Sequence, residues 1–205
     1  GAGRTDAGVN ARSMIAHFDA PSPIADEQGF VRALNSIVGR DIAIQKVCPV
    51  HPDAHARFDA TSRTYHYYVT TVKTPFFHPL CWQAPPRLDF EAMNRAALEL
   101  LAVDDFTSFA KLHTDNKTNI CHVTEAAWHP VPGIDGGYVF VITADRFLRN
   151  MVRAVVGTLV DVGRGKLTIE DFRRIISERN RCSAGISMPG HALYLWDVTY
   201  PYISF

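Results

Sequence analysis

The sequence predicts an α+β fold, with a mostly antiparallel sheet and helices packed on one of its faces. Strand-like and helix-like patterns follow each other in a mixed order along the 205 residues. Two strand-like runs flank the turn-forming residues 131–137, which favours a hairpin and hence antiparallel pairing. Apolar residues also recur at helical spacing in several segments, which gives each predicted helix an apolar face.

The first 82 residues combine a glycine-rich loop, one helix and several strands. Residues 1–12 predict the loop. The helix is predicted over Asp26–Val38, where apolar residues at helical spacing follow two prolines. The predicted strands, which alternate or are rich in aromatic and β-branched residues, are Ser13–Asp19, Ile42–Val47 and Arg63–Val72.

Residues 83–205 repeat this arrangement, so we expect two similar α+β halves, 1–82 and 83–205, around a central cleft. A proline-rich stretch marks the boundary. Asp89 is the predicted N-cap of an amphipathic helix that extends to Val103. The other predicted elements are a hairpin of Asn119–His129 and Gly137–Ala144, helices over Phe147–Val162 and Ile169–Glu178, and a closing strand over Leu193–Tyr200.

The composition indicates a soluble globular protein, with 47% hydrophobic and 20% charged residues. The formal net charge is zero, which is a mild argument against a nucleic-acid partner. However, arginines and lysines concentrate in residues 146–166 and 173–181. No apolar run reaches the roughly 18 residues of a membrane span.

Several common sites are absent from the sequence. The four cysteines have no CxxC spacing, which argues against a zinc ribbon and favours reduced thiols in a cytosolic protein. Gly165 and Lys166 do not belong to a phosphate-binding loop, which would need Gly at Val160 and Ser or Thr at Leu167, and residues 51–55 do not form an HExxH motif. A metal-dependent hydrolase is therefore the weaker alternative.

The glycine-rich loop places a carboxylate, Asp6, between Gly3 and Gly8 and two residues after Arg4. A carboxylate can act as a nucleophile on an electrophilic carbon, and a nearby guanidinium favours its ionised form. Aspartate in a glycine-rich loop is, however, more often a turn residue. The loop alone leaves both interpretations open.

Two further segments could face a ligand. In the strand RTYHYYV, Tyr65 lies on one face, from which its ring can stack on a base, and Arg57 or Arg63 can reach phosphate. Tyrosines of a strand also commonly pack in the core. In the helix after residue 146, arginines and Gly157 share one face, which suits RNA or a catalytic loop but is also typical of a solvated surface.

Five ordered strings resemble the motifs of TruA-type tRNA pseudouridine synthases. GRTDAGVNA resembles a GRTD-x-GVHA signature, and HARFDATSRTYHYYV resembles the HARF block that ends in R-x-Y-x-Y. The remaining strings are DFTSFA, FLRNMVRAVVGTLVDVGRGK and ALYLWDVTYP. Together they span essentially the whole chain, so the resemblance is specific.

This resemblance implies a pseudouridine synthase fold and an isomerase that needs neither cofactor nor metal. The expected substrate is a uridine in the anticodon stem-loop of tRNA, at family positions 38–40, and the expected assembly is a cytoplasmic homodimer with no membrane association. Asp6 corresponds to the nucleophile and Arg153 to its expected partner. Tyr65 corresponds to the residue that contacts the flipped base, and Arg4 to the one that helps to displace it. A non-catalytic RNA-binding protein is the alternative.

The sequence departs from the family pattern in two places. Family members usually have a strand and a helix before GRTD, so we expect an N-terminal segment to be missing and a sheet edge to be exposed. The second departure is Asn10, which replaces the usual histidine of GVHA. Because this position is not the nucleophile, we expect a local effect only.

Overall fold

One mixed sheet organises the fold in the computed structural model, which describes residues 1–77, 79–112 and 117–203. The strands run in the order β1-β6-β2-β5-β4, and β3 pairs with β2. Pairing is antiparallel for β2–β5, β2–β6 and β4–β5, and parallel for β1–β6 and β2–β3. The strands are β1 (Asn10–Ala11), β2 (Ser62–Thr70), β3 (Trp82–Gln83), β4 (Val123–Pro130), β5 (Gly137–Ala144) and β6 (Leu193–Thr199).

Three of the four helices pack against this sheet in one core, whereas the first helix has no buried residue. The four helices are α1 (Glu27–Ile37), α2 (Phe90–Ala97), α3 (Met151–Gly163) and α4 (Ile169–Glu178). Helix α3 is almost wholly buried, and its apolar residues share one core with Tyr67 of β2 and Phe140 of β5. The α+β prediction and its largely antiparallel pairing are confirmed.

Side-chain caps set where three of the helices begin, and Asp26 caps α1 by accepting a hydrogen bond from the Gly29 N–H at 2.8 Å. Asp89 caps α2, and its carboxylate accepts a hydrogen bond from the Ala92 N–H at 2.8 Å. Thr168 and Asp171 form a reciprocal capping box at the start of α4. After Ala97, α2 tightens into a 3₁₀ turn over Leu98–Ala102, so the predicted segment is helical but not one continuous α-helix.

Two predicted strands, Ser13–Asp19 and Ile42–Val47, are wrong, because neither segment is a strand in the structure. Alternation favours an extended backbone, but a strand also needs a neighbour to satisfy its N–H and C=O groups. At Ile44 the side chain of Asn35 supplies both bonds instead, each at 2.8 Å. Ala2 donates to the Ile15 carbonyl at 2.7 Å, which ties the start of the chain to residue 15.

Helix α3 begins four residues later than predicted. Asn150 adopts a left-handed conformation with φ 67° and ψ 0°, which a right-handed helix cannot contain. Residues 149 and 150 therefore form a turn in front of the helix, across which the Met151 N–H donates to the Leu148 carbonyl at 3.1 Å. That turn separates Arg149 from the regular helical face that carries Arg153.

Both predicted halves contribute strands to the same sheet, and their boundary at residues 82 and 83 falls within β3. The two halves are thus joined along β2, which pairs with strands from residues 83–205 on both sides. Among the described residues, no helix is both long and apolar enough to cross a bilayer.

Candidate active site

Asp6 lies on a tight turn whose conformation depends on glycine. The Val9 N–H donates to the Asp6 carbonyl at 3.2 Å, and Gly8 has a positive φ of 78°. The turn rests on the residues that precede β6. A Cβ atom at Gly190 would lie 2.7 Å from the Ala7 carbonyl oxygen, so only glycine permits this approach. The backbone thus fixes where the carboxylate points.

Arg153, in the first turn of α3, holds one oxygen of this carboxylate. Its Nη1 donates to Asp6 Oδ2 at 3.0 Å. The two side chains are only 20% and 21% exposed, so the pair is shielded from water more than a surface ion pair. The other oxygen, Oδ1, accepts no hydrogen bond from residues 1–77, 79–112 or 117–203. It is the oxygen available for chemistry.

The segment of residues 184–189 fixes Arg153 in turn. Arg153 Nε donates to the Met188 carbonyl, and the Met188 N–H donates to the Arg153 carbonyl at 3.1 Å. Close contact continues along α3, where a Cβ atom at Gly157 would lie 1.9 Å from the Ile186 carbonyl oxygen. Gly157 therefore belongs to a helix face that is covered by backbone, not by solvent.

A second arginine, Arg149, approaches the same carboxylate more loosely. Its Nε lies 3.8 Å from Asp6 Oδ1, which is beyond hydrogen-bonding distance. The side chain is 61% exposed. Asp6 thus has one tightly bound oxygen and one oxygen that only faces a solvent-exposed guanidinium.

Tyr65 projects from β2 toward this site and packs edge-on against Phe147, with ring centroids 5.0 Å apart. Burial raises the pKa of the phenol to about 12, with a smaller opposing effect of Arg63 and a further increase due to the Asp6 charge. The phenol is therefore neutral at physiological pH. Its hydroxyl forms no hydrogen bond with another residue of the described parts of the chain, so it can bind a ligand.

Arg4 and Arg63 differ sharply in their surroundings. Arg4 is exposed and forms no ion pair or hydrogen bond with the residues that the structure describes. Arg63 instead donates to the carbonyls of Ala60, Asp145 and Arg57 at 2.7–2.8 Å. The Arg63 guanidinium therefore stabilises the loop before β2. The structure does not support the expectation that Arg63 could reach phosphate.

The structure brings Asp6, Arg153 and Tyr65 into one site and leaves Arg4 exposed. Sequence reasoning placed Arg149 only on a general arginine face, because its approach to Asp6 depends on the left-handed Asn150. Sequence reasoning did not predict that the segment around Met188 belongs to the site, since Arg153 contacts a backbone carbonyl there. In the described parts of the chain, no three His, Cys, Asp or Glu side chains are grouped so as to hold a metal ion.

This arrangement can support a nucleophilic displacement. A carboxylate held by an arginine through one oxygen presents the other oxygen in a fixed direction. A neutral phenol beside it can contact a planar polar ligand. These groups come from a loop, a strand and a helix, and Tyr65 of the strand packs against the core to which α3 contributes.

Comparisons with known proteins all indicate one family. A family model described as tRNA pseudouridine synthase matches residues 96–201. Proteins named tRNA pseudouridine synthase A are similar over nearly the whole chain. The one from Parabacteroides distasonis is 61% identical over 201 residues, which are 98% of this chain and 79% of that protein. The one from Porphyromonas gingivalis is 57% identical over 98% of this chain and 80% of that protein. The one from Bacillus subtilis is 36% identical over 97% of this chain and 79% of that protein.

The family model and the relatives both cover β6 and α3, the helix that carries Arg153. The chain belongs to the tRNA pseudouridine synthase family.

Proposed function

We propose that this protein isomerises uridine to pseudouridine in tRNA, with Asp6 as the nucleophile. The observation that carries the proposal is that the two carboxylate oxygens of Asp6 have different surroundings. Arg153 binds Oδ2 at 3.0 Å, and Oδ1 is left available. Membership of the family supplies the reaction class, and the geometry supports this carboxylate as the group that performs it.

The reaction exchanges a carbon–nitrogen bond for a carbon–carbon bond at the ribose. Asp6 Oδ1 attacks C1′ of the uridine, and the C1′–N1 bond breaks with its electron pair on N1. The uracil then rotates, and C5 attacks C1′ and displaces the carboxylate. Finally, C5 loses its proton and N1 is protonated. All bonds and electrons balance within the substrate, so the scheme needs no oxidant, metal or cofactor.

Arg153 and Tyr65 have separate roles in this scheme. Arg153 stabilises the carboxylate charge both before attack and when the carboxylate leaves. Tyr65 contacts the extruded uracil, since its hydroxyl is neutral and has no partner in the described parts of the chain, and its side chain lies beside Asp6. We assign Arg4 the displacement of the target base, since its exposed side chain is free to enter an RNA stack.

The modified position, the assembly and the division into two halves are proposed from the family resemblance. We propose the anticodon stem-loop, at family positions 38–40, as the site of modification, and a cytoplasmic homodimer as the working assembly. We further propose that residues 1–82 and 83–205 act as two halves of one synthase domain. The cleft between them would then accept the RNA.

The test is turnover of an unmodified tRNA transcript labelled with tritium at C5 of uridine. We expect tritium release that matches the amount of pseudouridine found by nucleoside analysis, both with and without a chelator. Binding of the transcript without any release would instead favour a non-catalytic RNA-binding protein. Loss of release with chelator would favour the metal-dependent alternative.

A further inference from the structure

Arg149 lies beside the nucleophile but is not bonded to it. Its Nε is 3.8 Å from Asp6 Oδ1, whereas Arg153 donates to Oδ2 at 3.0 Å. An exposed ion pair of this length contributes little to stability. The contact can therefore be exchanged for a stronger one at small cost.

The rest of the Arg149 guanidinium has no protein partner in the described parts of the chain. Its Nη1 and Nη2 groups form no hydrogen bond there, and the side chain is 61% exposed. Guanidinium groups bind phosphate through two parallel hydrogen bonds, which are stronger than the contact seen here. Arg149 thus carries unused donors that suit a phosphate.

The backbone of Arg149 is nevertheless fixed. Its carbonyl accepts a hydrogen bond from the Lys111 N–H at 3.0 Å, and the buried Leu148 precedes it. The next residue, Asn150, is left-handed and its side-chain amide donates to the Ser187 hydroxyl. A rigid backbone directs an otherwise loosely held cation over the reacting oxygen.

A nucleotide placed for attack brings its phosphates to this point. Reacting atoms in a productive complex lie about 3–3.5 Å apart, so C1′ must sit next to Asp6 Oδ1. The phosphates of the same nucleotide are one ribose away from C1′. A carboxylate and a phosphate this close repel each other unless a cation lies between them.

We propose that Arg149 binds a backbone phosphate of the target nucleotide and gives up its loose contact with Asp6 Oδ1 for this stronger one. The inference rests on the proposed function, since it takes Asp6 as the nucleophile. It assigns Arg153 and Arg149 different tasks. Arg153 holds the catalytic carboxylate, and Arg149 holds the substrate.

The experiment compares Arg149→Ala and Arg149→Lys with the parent protein, using an unmodified tRNA transcript. Arg174→Ala is the matched control, because Arg174 is 62% exposed and pairs with Asp171 on α4, outside the site. Binding is measured over a range of salt concentrations, and single-turnover and steady-state rates are measured by tritium release. The binding titrations remain informative even if no release is found, so a failure of the proposed function would be separate from a failure of this inference.

For Arg149→Ala we expect KM to rise about tenfold, with most of the loss of kcat/KM in KM. The plot of log Kd against log salt should become less steep by about 0.7–0.9, as expected for one lost phosphate contact. Arg149→Lys should recover part of the affinity, and Arg174→Ala should change neither quantity. An unchanged salt slope, or a fall in kcat with KM unchanged, would overturn the inference, since Arg149 would then act on Asp6 and not on phosphate.

Discussion

Replacement of Arg153 tests how the nucleophile is held. In Arg153→Ala, Asp6 Oδ2 loses its hydrogen-bonded cation within a site where Asp6 is only 20% exposed. A hydrogen bond to a charged group contributes about 1.5–3 kcal/mol. If that interaction supports the transition state, the rate falls by about 10- to 150-fold, since each 1.4 kcal/mol is a factor of ten.

Arg153→Lys should slow the reaction less than Arg153→Ala does. Arg153 uses two separate nitrogens, Nη1 for Asp6 and Nε for the Met188 carbonyl. A lysine ammonium is a compact point charge and cannot reproduce this fork, so we expect an intermediate rate. Arg173→Ala is the control, because Arg173 pairs with Glu99 on the protein surface.

The assay is single-turnover tritium release at saturating enzyme, with tRNA binding measured in parallel. We expect slower release, and binding within about threefold of the parent, because the Arg153 side chain is only 21% exposed and contacts protein groups. Release from Arg153→Ala within threefold of the parent would refute this account of the site. A parallel collapse of binding would show that Arg153 contacts the RNA directly.

Three other changes probe the surroundings of the site. Tyr65→Phe removes a neutral hydroxyl that has no protein partner in the described parts of the chain, so stability should hold while release slows; an unchanged rate would exclude a role for that hydroxyl. Gly157→Ala places a Cβ atom 1.9 Å from the Ile186 carbonyl, so the free energy of unfolding should fall by about 1–3 kcal/mol in denaturant titrations. Burial lowers the pKa of His66, stacked on Trp196, from 6.5 to about 4, so the unfolded chain takes up this proton first as pH falls from 6.5 to 4. Stability should therefore decline over that window, and less steeply in His66→Phe; equal slopes would remove His66 as the cause.

Much of the fold follows from local patterns in the sequence. The caps at Asp89 and Thr168 and the strand around Tyr65 depend on residues close to each other in the chain, and such signals are visible without a structure. The strands predicted at Ser13–Asp19 and Ile42–Val47 failed for a different reason. Their alternation is real, but strand formation depends on a neighbour that the pattern does not reveal.

The candidate site also combines features that the sequence reveals with features that it does not. The loop that carries Asp6 and the helix that carries Arg153 are 147 residues apart, and only ordered motifs, not spacing, relate them in the sequence. The left-handed Asn150 and the Met188 carbonyl leave no pattern at all. These two backbone features distinguish the tightly bound Arg153 from the loosely held Arg149.

Asp6→Asn gives the most direct test of the central claim that this carboxylate is the nucleophile. The amide keeps the shape of the side chain but removes the charge and the nucleophilic oxygen. Asp105→Asn, which changes a carboxylate paired with Arg179 at the end of α4, serves as the matched control. We predict that Asp6→Asn binds the tRNA transcript but releases tritium at least about a thousandfold more slowly than the parent, a loss of roughly 4 kcal/mol of transition-state stabilisation. Release from Asp6→Asn at the rate of the parent and of Asp105→Asn would contradict the account.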